Sequence, residues 1–345
     1  MQSIPRDVSN KLASMSLLGA IFVVFIHIWT PTPPGSFAWW LYSLTSMRKM
    51  AVPLFFLISG FLLAGHVSDE DWWKRENSKR VKSLLIPYVL WSVLWMLFLV
   101  FRQLLGNYVQ GHPLLDGVLL IVTDHRFLGL DLFSHPQMVP LWYVRALIIL
   151  VFFSPVVVWL LKRCPRRFLC CAFLCAIFDR CAGGTYFYLI GSTFSISYLF
   201  YFAFGMALRT GVIKVPGKDF SFPAAIIAVA VWGLVQVITC QAGFEQSSAQ
   251  TRFWLRRLEV LECMCWMYLA WRIIPSRPLP RYLAGMAFPI YLVHWFVLAV
   301  WQRDAVATVL GFSLTCIVGI GVSVVLCAIL KCCLPKFSGV LFGGR

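Results

Sequence analysis

Apolar runs of helical length alternate with short polar, basic or proline-rich stretches along almost the whole chain. At ~1.5 Å rise per residue such runs cross or nearly cross the hydrocarbon of a bilayer. The pattern predicts an all-α transmembrane bundle of about ten spans, at about 12–30, 51–65, 84–101, 140–161, 168–178, 186–208, 222–239, 258–271, 283–300 and 306–330. Trp39 and Trp40 follow the first span in a Pro-rich turn, where an interface suits them. The 66–83 loop is basic, and 102–139 is a long polar connection. Inside that connection the apolar stretch 117–123 is too short to span and reads as an interfacial or re-entrant segment. No soluble appendage, low-complexity tract or internal repeat interrupts the pattern, so residues 1–345 read as one integral-membrane domain.

Composition narrows the class. Of 345 residues, 60% are hydrophobic and 13% charged, more apolar surface than a soluble core can bury. The first span lacks a small-residue cleavage site and is expected to remain in the mature protein. The net charge of +16 lies between spans and forms no basic domain or recognition motif, which excludes nucleic acid as partner and makes the bilayer the first one. With the N-terminus inside, inner segments hold 20 of the 30 Lys and Arg and outer loops hold 9. That excess predicts a multi-pass protein of the inner (plasma) membrane with both termini cytoplasmic. The twelve cysteines fall mostly in or beside apolar spans, without zinc-ligand spacing, and read as small apolar fillers. No metal site, P-loop or dinucleotide-binding glycine pattern is present.

Against this background one imidazole stands out. Residues 13–29 contain no Asp, Glu, Lys or Arg, yet hold His27. An ionisable side chain inside an apolar span is costly and marks a functional candidate, with a packed, hydrogen-bonded core histidine as the plain alternative. A neutral imidazole suits a general base that takes the proton of an attacking hydroxyl. His294 is the second imidazole within a span, and Arg145 is the one cation placed early in a span, where it can hold an oxyanion or anionic substrate or simply snorkel. Lys79, Arg80 and Lys82 form a basic cluster suited to phosphates, or to orientation alone. Asp124-His125 looks like half a triad without a placed nucleophile. Ser59 and Gly60 read as small packing residues, and Arg256, Arg257, Glu259 and Glu262 are spaced for same-face ion pairs.

Six stretches together resemble the integral-membrane acyltransferase family 3, the carbohydrate O-acetyltransferases. They are Gly19-Ala-Ile-Phe-Val-Val-Phe-Ile-His27, Val52-Pro-Leu-Phe-Phe-Leu-Ile-Ser-Gly-Phe-Leu-Leu63, Lys79-Arg-Val-Lys-Ser-Leu-Leu-Ile-Pro-Tyr88, Pro140-Leu-Trp-Tyr-Val-Arg-Ala-Leu-Ile-Ile-Leu150, Tyr201-Phe-Ala-Phe-Gly-Met206 and Phe288-Pro-Ile-Tyr-Leu-Val-His294. They occur in the family's order and cover nearly the whole chain. The resemblance implies a bundle of about ten helices that moves an acyl group, acetyl above all, from acyl-CoA (acetyl-CoA as co-substrate, no metal) to a hydroxyl of an extracytoplasmic glycan or glycolipid. His27 then takes the catalytic place, as base or as covalent acyl carrier, and Arg145, Lys79, Arg80, Lys82, Lys49 and His294 are the substrate-binding candidates. One departure stands: where the family carries an Arg eleven positions before the first-helix His, this chain has Ser16. Lys11, Arg80 or Lys82 on the cytoplasmic side, or Lys49 or Arg145 on the outer side, must then replace it. The rival readings are a transporter or flippase-like protein, since intramembrane His and Arg also line translocation paths, and a non-catalytic relative.

Overall fold

The computed structural model describes residues 4–28, 46–67, 71–128, 136–179, 196–217, 219, 221–241, 249–280, 282–301 and 309–344. Among these the chain is all-helical, with no strand. The helices are α1 (Arg6–His27), α2 (Ala51–Ala64), α3 (Trp72–Arg80), α4 (Ile86–Gln110), α5 (Val118–Val122), α6 (Trp142–Phe152) and α7 (Ser154–Arg163). They continue as α8 (Pro165–Asp179), α9 (Ile196–Arg209), α10 (Ser221–Gln241), α11 (Ala249–Ile273), α12 (Ala287–Trp301), α13 (Val309–Cys333) and α14 (Pro335–Leu341). Trp39 and Trp40, Asp131 and His135, residues 186–195 of the sixth expected span, and the side chains of Cys240, Arg256 and Arg257 lie outside the described residues.

Prolines mark where many of these helices begin. Pro53, Pro87, Pro155, Pro165, Pro223, Pro289 and Pro335 each stand in a first turn. There the missing N–H has no intrahelical acceptor to lose and the fixed φ already suits a helix. The same residue type corrects one expectation. The span expected at 140–161 is two helices, α6 and α7, bent by 56° at Phe153. Pro155 cannot donate to the Val151 carbonyl, and the Ser154 hydroxyl takes that acceptor at 2.6 Å. The third span runs further than its apolar core suggests. A π-helical turn, Val81–Leu85, joins α3 to α4, and α4 continues to Gln110, where Gly111 ends it at φ 69°. The segment expected to be interfacial is the single-turn α5, with Leu119 and Leu120 more than 70% exposed.

Among the described residues, four helical runs are each long and apolar enough to cross a membrane: Arg6–His27, Met47–Ala64, Trp72–Gln110 and Leu310–Cys333. The bent α6–α7 pair makes a fifth candidate, and α12 and much of α10 are apolar but shorter. Leu97, Phe101, Ile227, Val231, Ile317 and Val325 point outward from α4, α10 and α13. Apolar faces of that size suit lipid, so this is a membrane protein.

The interior is built on α1, α2 and α12. Helix α12 is apolar on all sides and buried from Phe288 to His294, as a central helix must be. Helix α1 packs against α2, α12 and α13, while α2 also packs against α9. At that last contact the backbones touch. A Cβ at Gly60 would overlap the Phe202 carbonyl oxygen, and one at Gly205 the Leu57 carbonyl oxygen. Small residues permit such an approach where no hydrophobic drive separates helix from lipid. Buried hydroxyls are satisfied locally: Ser92, Thr315 and Ser323 each donate to the carbonyl four residues back. All ten described cysteines are free thiols, five of them exposed on α8 or at the end of α13.

Candidate active site

The last residue of α1 and the middle of α12 bring the two intramembrane imidazoles together. The His27 and His294 rings lie 5.4 Å apart, centroid to centroid. Trp295 meets His27 edge-on at 5.0 Å. His294 is fully buried, and neither ring nitrogen makes a hydrogen bond of good geometry among the described residues, the Ile290 and Tyr291 carbonyls standing nearest. One turn before His294, Tyr291 donates its hydroxyl to the Pro140 carbonyl at the start of α6. That bond fixes α12 against the Pro140-Leu-Trp-Tyr-Val-Arg segment.

Aromatic rings close the rest of the site. Tyr143 of α6 stands 5.5 Å from Tyr291, and Phe55 of α2 is within 6.3 Å of both. Tyr88 of α4 gives its hydroxyl to the Leu128 carbonyl at 2.6 Å. It also lies within electrostatic reach of Arg145 and Tyr291. Arg145 is itself buried, 8% exposed, and does not snorkel to an interface. A polar track therefore runs through a dry interior from the imidazole pair, along three tyrosines, to a guanidinium. The track can accept a proton at one end and stabilise negative charge at the other.

The remaining cations are elsewhere and mostly engaged. Glu76 of α3 is 2% exposed and faces two of them, Lys79 Nζ at 2.8 Å and Arg80 at 3.7 Å, together with the imidazole Nδ1 of His66 at 3.7 Å. Lys82, in the π-helical turn, is exposed and has no carboxylate within ion-pair distance among the described residues. Three basic side chains therefore surround one acid, and the cluster keeps a net positive charge. Glu76 escaped the sequence reading, although its i,i+3 and i,i+4 spacing to Lys79 and Arg80 is the signal that could have found it. Lys49 reaches the buried carboxylate of Glu262 at 3.8 Å, which ties the turn before α2 to α11. Glu262 thus has a cross-helix partner, because α11 packs on that turn and a carboxylate buried there needs a cation.

Ser16 folds its hydroxyl back to the Leu12 carbonyl at 2.8 Å and offers no charge. Lys11 donates to the Trp271 carbonyl at 2.8 Å and lies over the Trp271 ring. At Asp124-His125 the carboxylate is already engaged. Arg126 takes the Asp124 carboxylate in a two-pronged pair at 2.8 and 3.1 Å and holds its pKa below the usual range. Among the described residues no group of His, Cys, Asp and Glu could hold a metal ion.

The model of the acyltransferase domain, family 3, matches residues 17–331. The chain belongs to acyltransferase family 3. All six stretches that carry the resemblance, and both histidines, fall within the match. A curated relative, the succinoglycan biosynthesis protein ExoH of Rhizobium meliloti (strain 1021), is 27% identical over 172 residues, which make up 46% of this chain and 45% of that one. The aligned part is thus less than half of either protein. No solved structure matches the chain.

Proposed function

We propose that this chain is a membrane O-acyltransferase that moves an acyl group, acetyl in the simplest case, from acyl-CoA to a hydroxyl of a cell-envelope polysaccharide or glycolipid. Family membership supports the reaction class, and the name of the ExoH relative supports a polysaccharide pathway. The observation that carries the mechanism is the contact between His27 and His294 in a buried aromatic interior. In the proposed step the acceptor oxygen attacks the thioester carbonyl while His27 takes the hydroxyl proton. A C–O bond forms, the C–S bond breaks, and the imidazolium returns its proton to the departing thiolate. Arg145 steadies the oxyanion, and the surrounding rings exclude water, which would otherwise compete as acceptor. His294 supports His27 from the neighbouring helix. The Glu76 cluster, with exposed Lys82, meets the phosphates of coenzyme A, and Lys49 flanks the acceptor.

Ten spans with cytoplasmic termini complete the reading, on the strength of the two-to-one excess of Lys and Arg in the inner segments. The donor then enters from the cytoplasm of a plasma-membrane protein and the acceptor from outside. The bend of 56° between α6 and α7 favours one rival, because broken helices also build transport paths.

The test is the purified full-length protein in lipid nanodiscs with acetyl-CoA labelled in the acyl group and lipid-linked saccharides. Label should move to the saccharide, and His27→Ala should cut the rate by ~10²–10⁴, the usual contribution of a positioned base. Label on the protein, trapped before the acceptor is added, would replace the base by an acyl-imidazole. Transport of the saccharide without thioester cleavage would establish the rival. Restoring the family cation with Ser16→Arg should lower the KM for acetyl-CoA if Ser16 weakens donor binding.

A further inference from the structure

The C-terminal half of α4 carries a cleft that the proposed chemistry does not use. Its volume is about 320 Å³, within the range of small-ligand pockets. Arg102, Gln103, Asn107 and Gln110 line it, Leu99 forms its inner end, and Ile121 of α5 closes one side. The polar groups are three carboxamides and a guanidinium, with no carboxylate among the lining residues. Such a set both donates and accepts hydrogen bonds and does not attract cations. Gln103 donates to the Asn107 side chain and the Asp116 carbonyl, and Asn107 to the Leu114 and Asp116 carbonyls. These bonds pin the 111–117 turn and make one wall rigid. Arg102 and Gln110 make no side-chain hydrogen bond among the described residues and remain available to a ligand.

Three further features give the cleft a direction. Trp95, Leu99, Arg102 and Gly106 follow one another at four-, three- and four-residue steps, so they share a face of α4. Trp95 lies 6.1 Å from Trp295, whose ring touches His27. Both indole N–H groups are buried without a hydrogen-bond partner among the described residues. Gly106 leaves the space open: a Cβ built there meets nothing within 4 Å. A glycine in a helix interior costs about 1 kcal/mol against alanine, and no close helix contact requires one here. Beside the cleft, Leu105, Tyr108, Val109, Leu119 and Leu120 are 51–78% exposed. A polar trough thus lies next to an apolar lip, on the helix that leads to the imidazole pair.

We propose that this cleft binds the sugar of an amphiphilic acceptor, a lipid-linked saccharide whose chain lies along the exposed leucines and whose hydroxyl points down the Trp95–Trp295 face towards His27. The proposal deepens the acyl-transfer reading and rests on it for the word acceptor, but its test needs no acyl donor. Full-length protein in nanodiscs is titrated with tritiated polyprenyl-phosphate lipids bearing glucose, galactose or N-acetylglucosamine. Polyprenyl phosphate without sugar and maltotriose without lipid serve as the two control ligands. At least one glycosyl lipid should bind saturably, and both controls at least about tenfold more weakly. Gly106→Leu fills the trough and should weaken that binding at least about tenfold without lowering the melting temperature, while Gly106→Ala leaves it within about threefold. Arg102→Met should weaken it several-fold.

Absence of saturable binding, binding unchanged in Gly106→Leu, or equal binding of the sugarless lipid would each overturn the proposal. Saturable glycolipid binding without any acyl transfer would overturn the enzymatic reading and leave the cleft standing. Transfer that persists unchanged in Gly106→Leu would do the reverse.

Discussion

Two groups of polar side chains lie inside this bundle, and the protein treats them in opposite ways. Around Glu76 the chain supplies partners in excess: one buried carboxylate meets Lys79, Arg80 and His66. Around His294 it supplies none of good geometry among the described residues, and surrounds the pair with Trp295, Tyr291 and Tyr143. A buried polar group without a partner carries a desolvation cost that a satisfied one does not. The satisfied group therefore reads as anchorage for α3 and its basic surface. His294, unsatisfied beside His27, fits the proposed site, where a partner would arrive with the substrate.

The strongest way to break the comparison is His294→Ala, scored per folded molecule. Transfer should fall at least about tenfold with the melting temperature little lowered, since the imidazole has few bonds to lose. Normal transfer in a destabilised protein would make His294 a packing residue and erase the contrast. Next, Glu76→Gln should destabilise the protein by about 1–2 kcal/mol in thermal unfolding. More than half of the Lys79 side chain is exposed, so water softens the loss. No change would mean that the cluster does not anchor α3. A smaller effect is expected from Lys82→Ala: the KM for acetyl-CoA should rise about threefold at low salt and the difference should fade as salt is added. Smallest of all is Asp124→Asn. Arg126 holds the Asp124 carboxyl below its ordinary pKa. The stabilisation it contributes is thus present above the unfolded carboxylate range and is lost as pH falls through the folded value. The variant should match the parent's unfolding free energy in acid and lie below it by a few tenths of a kcal/mol at neutral pH.

Much of the local structure is legible in the chain. First-turn prolines announce helix starts, and the charge-free run before His27 announces an imidazole within an apolar helix. The proximity of Gly60 to another backbone follows from a small residue in a Phe-rich helix. The break at Phe153 is visible afterwards in Ser154-Pro155 yet hidden beforehand, because an apolar run through a proline can kink, break or carry on. Asp124-His125 offers half a triad in the sequence, and in the fold the neighbouring Arg126 engages its carboxylate.

By itself the sequence determined the helical class, the membrane environment, the family and the cost of placing histidine where no water reaches. These follow from local pattern and composition, which need no knowledge of neighbours. Only the tertiary structure decided which polar groups meet. It set His27 against His294 through the crossing of α1 and α12, Lys49 against Glu262 through α11, and the Trp95 stripe against Trp295. Such pairings depend on how helices cross and which faces they turn to one another, and ridge-into-groove packing, not residue order along the chain, selects them.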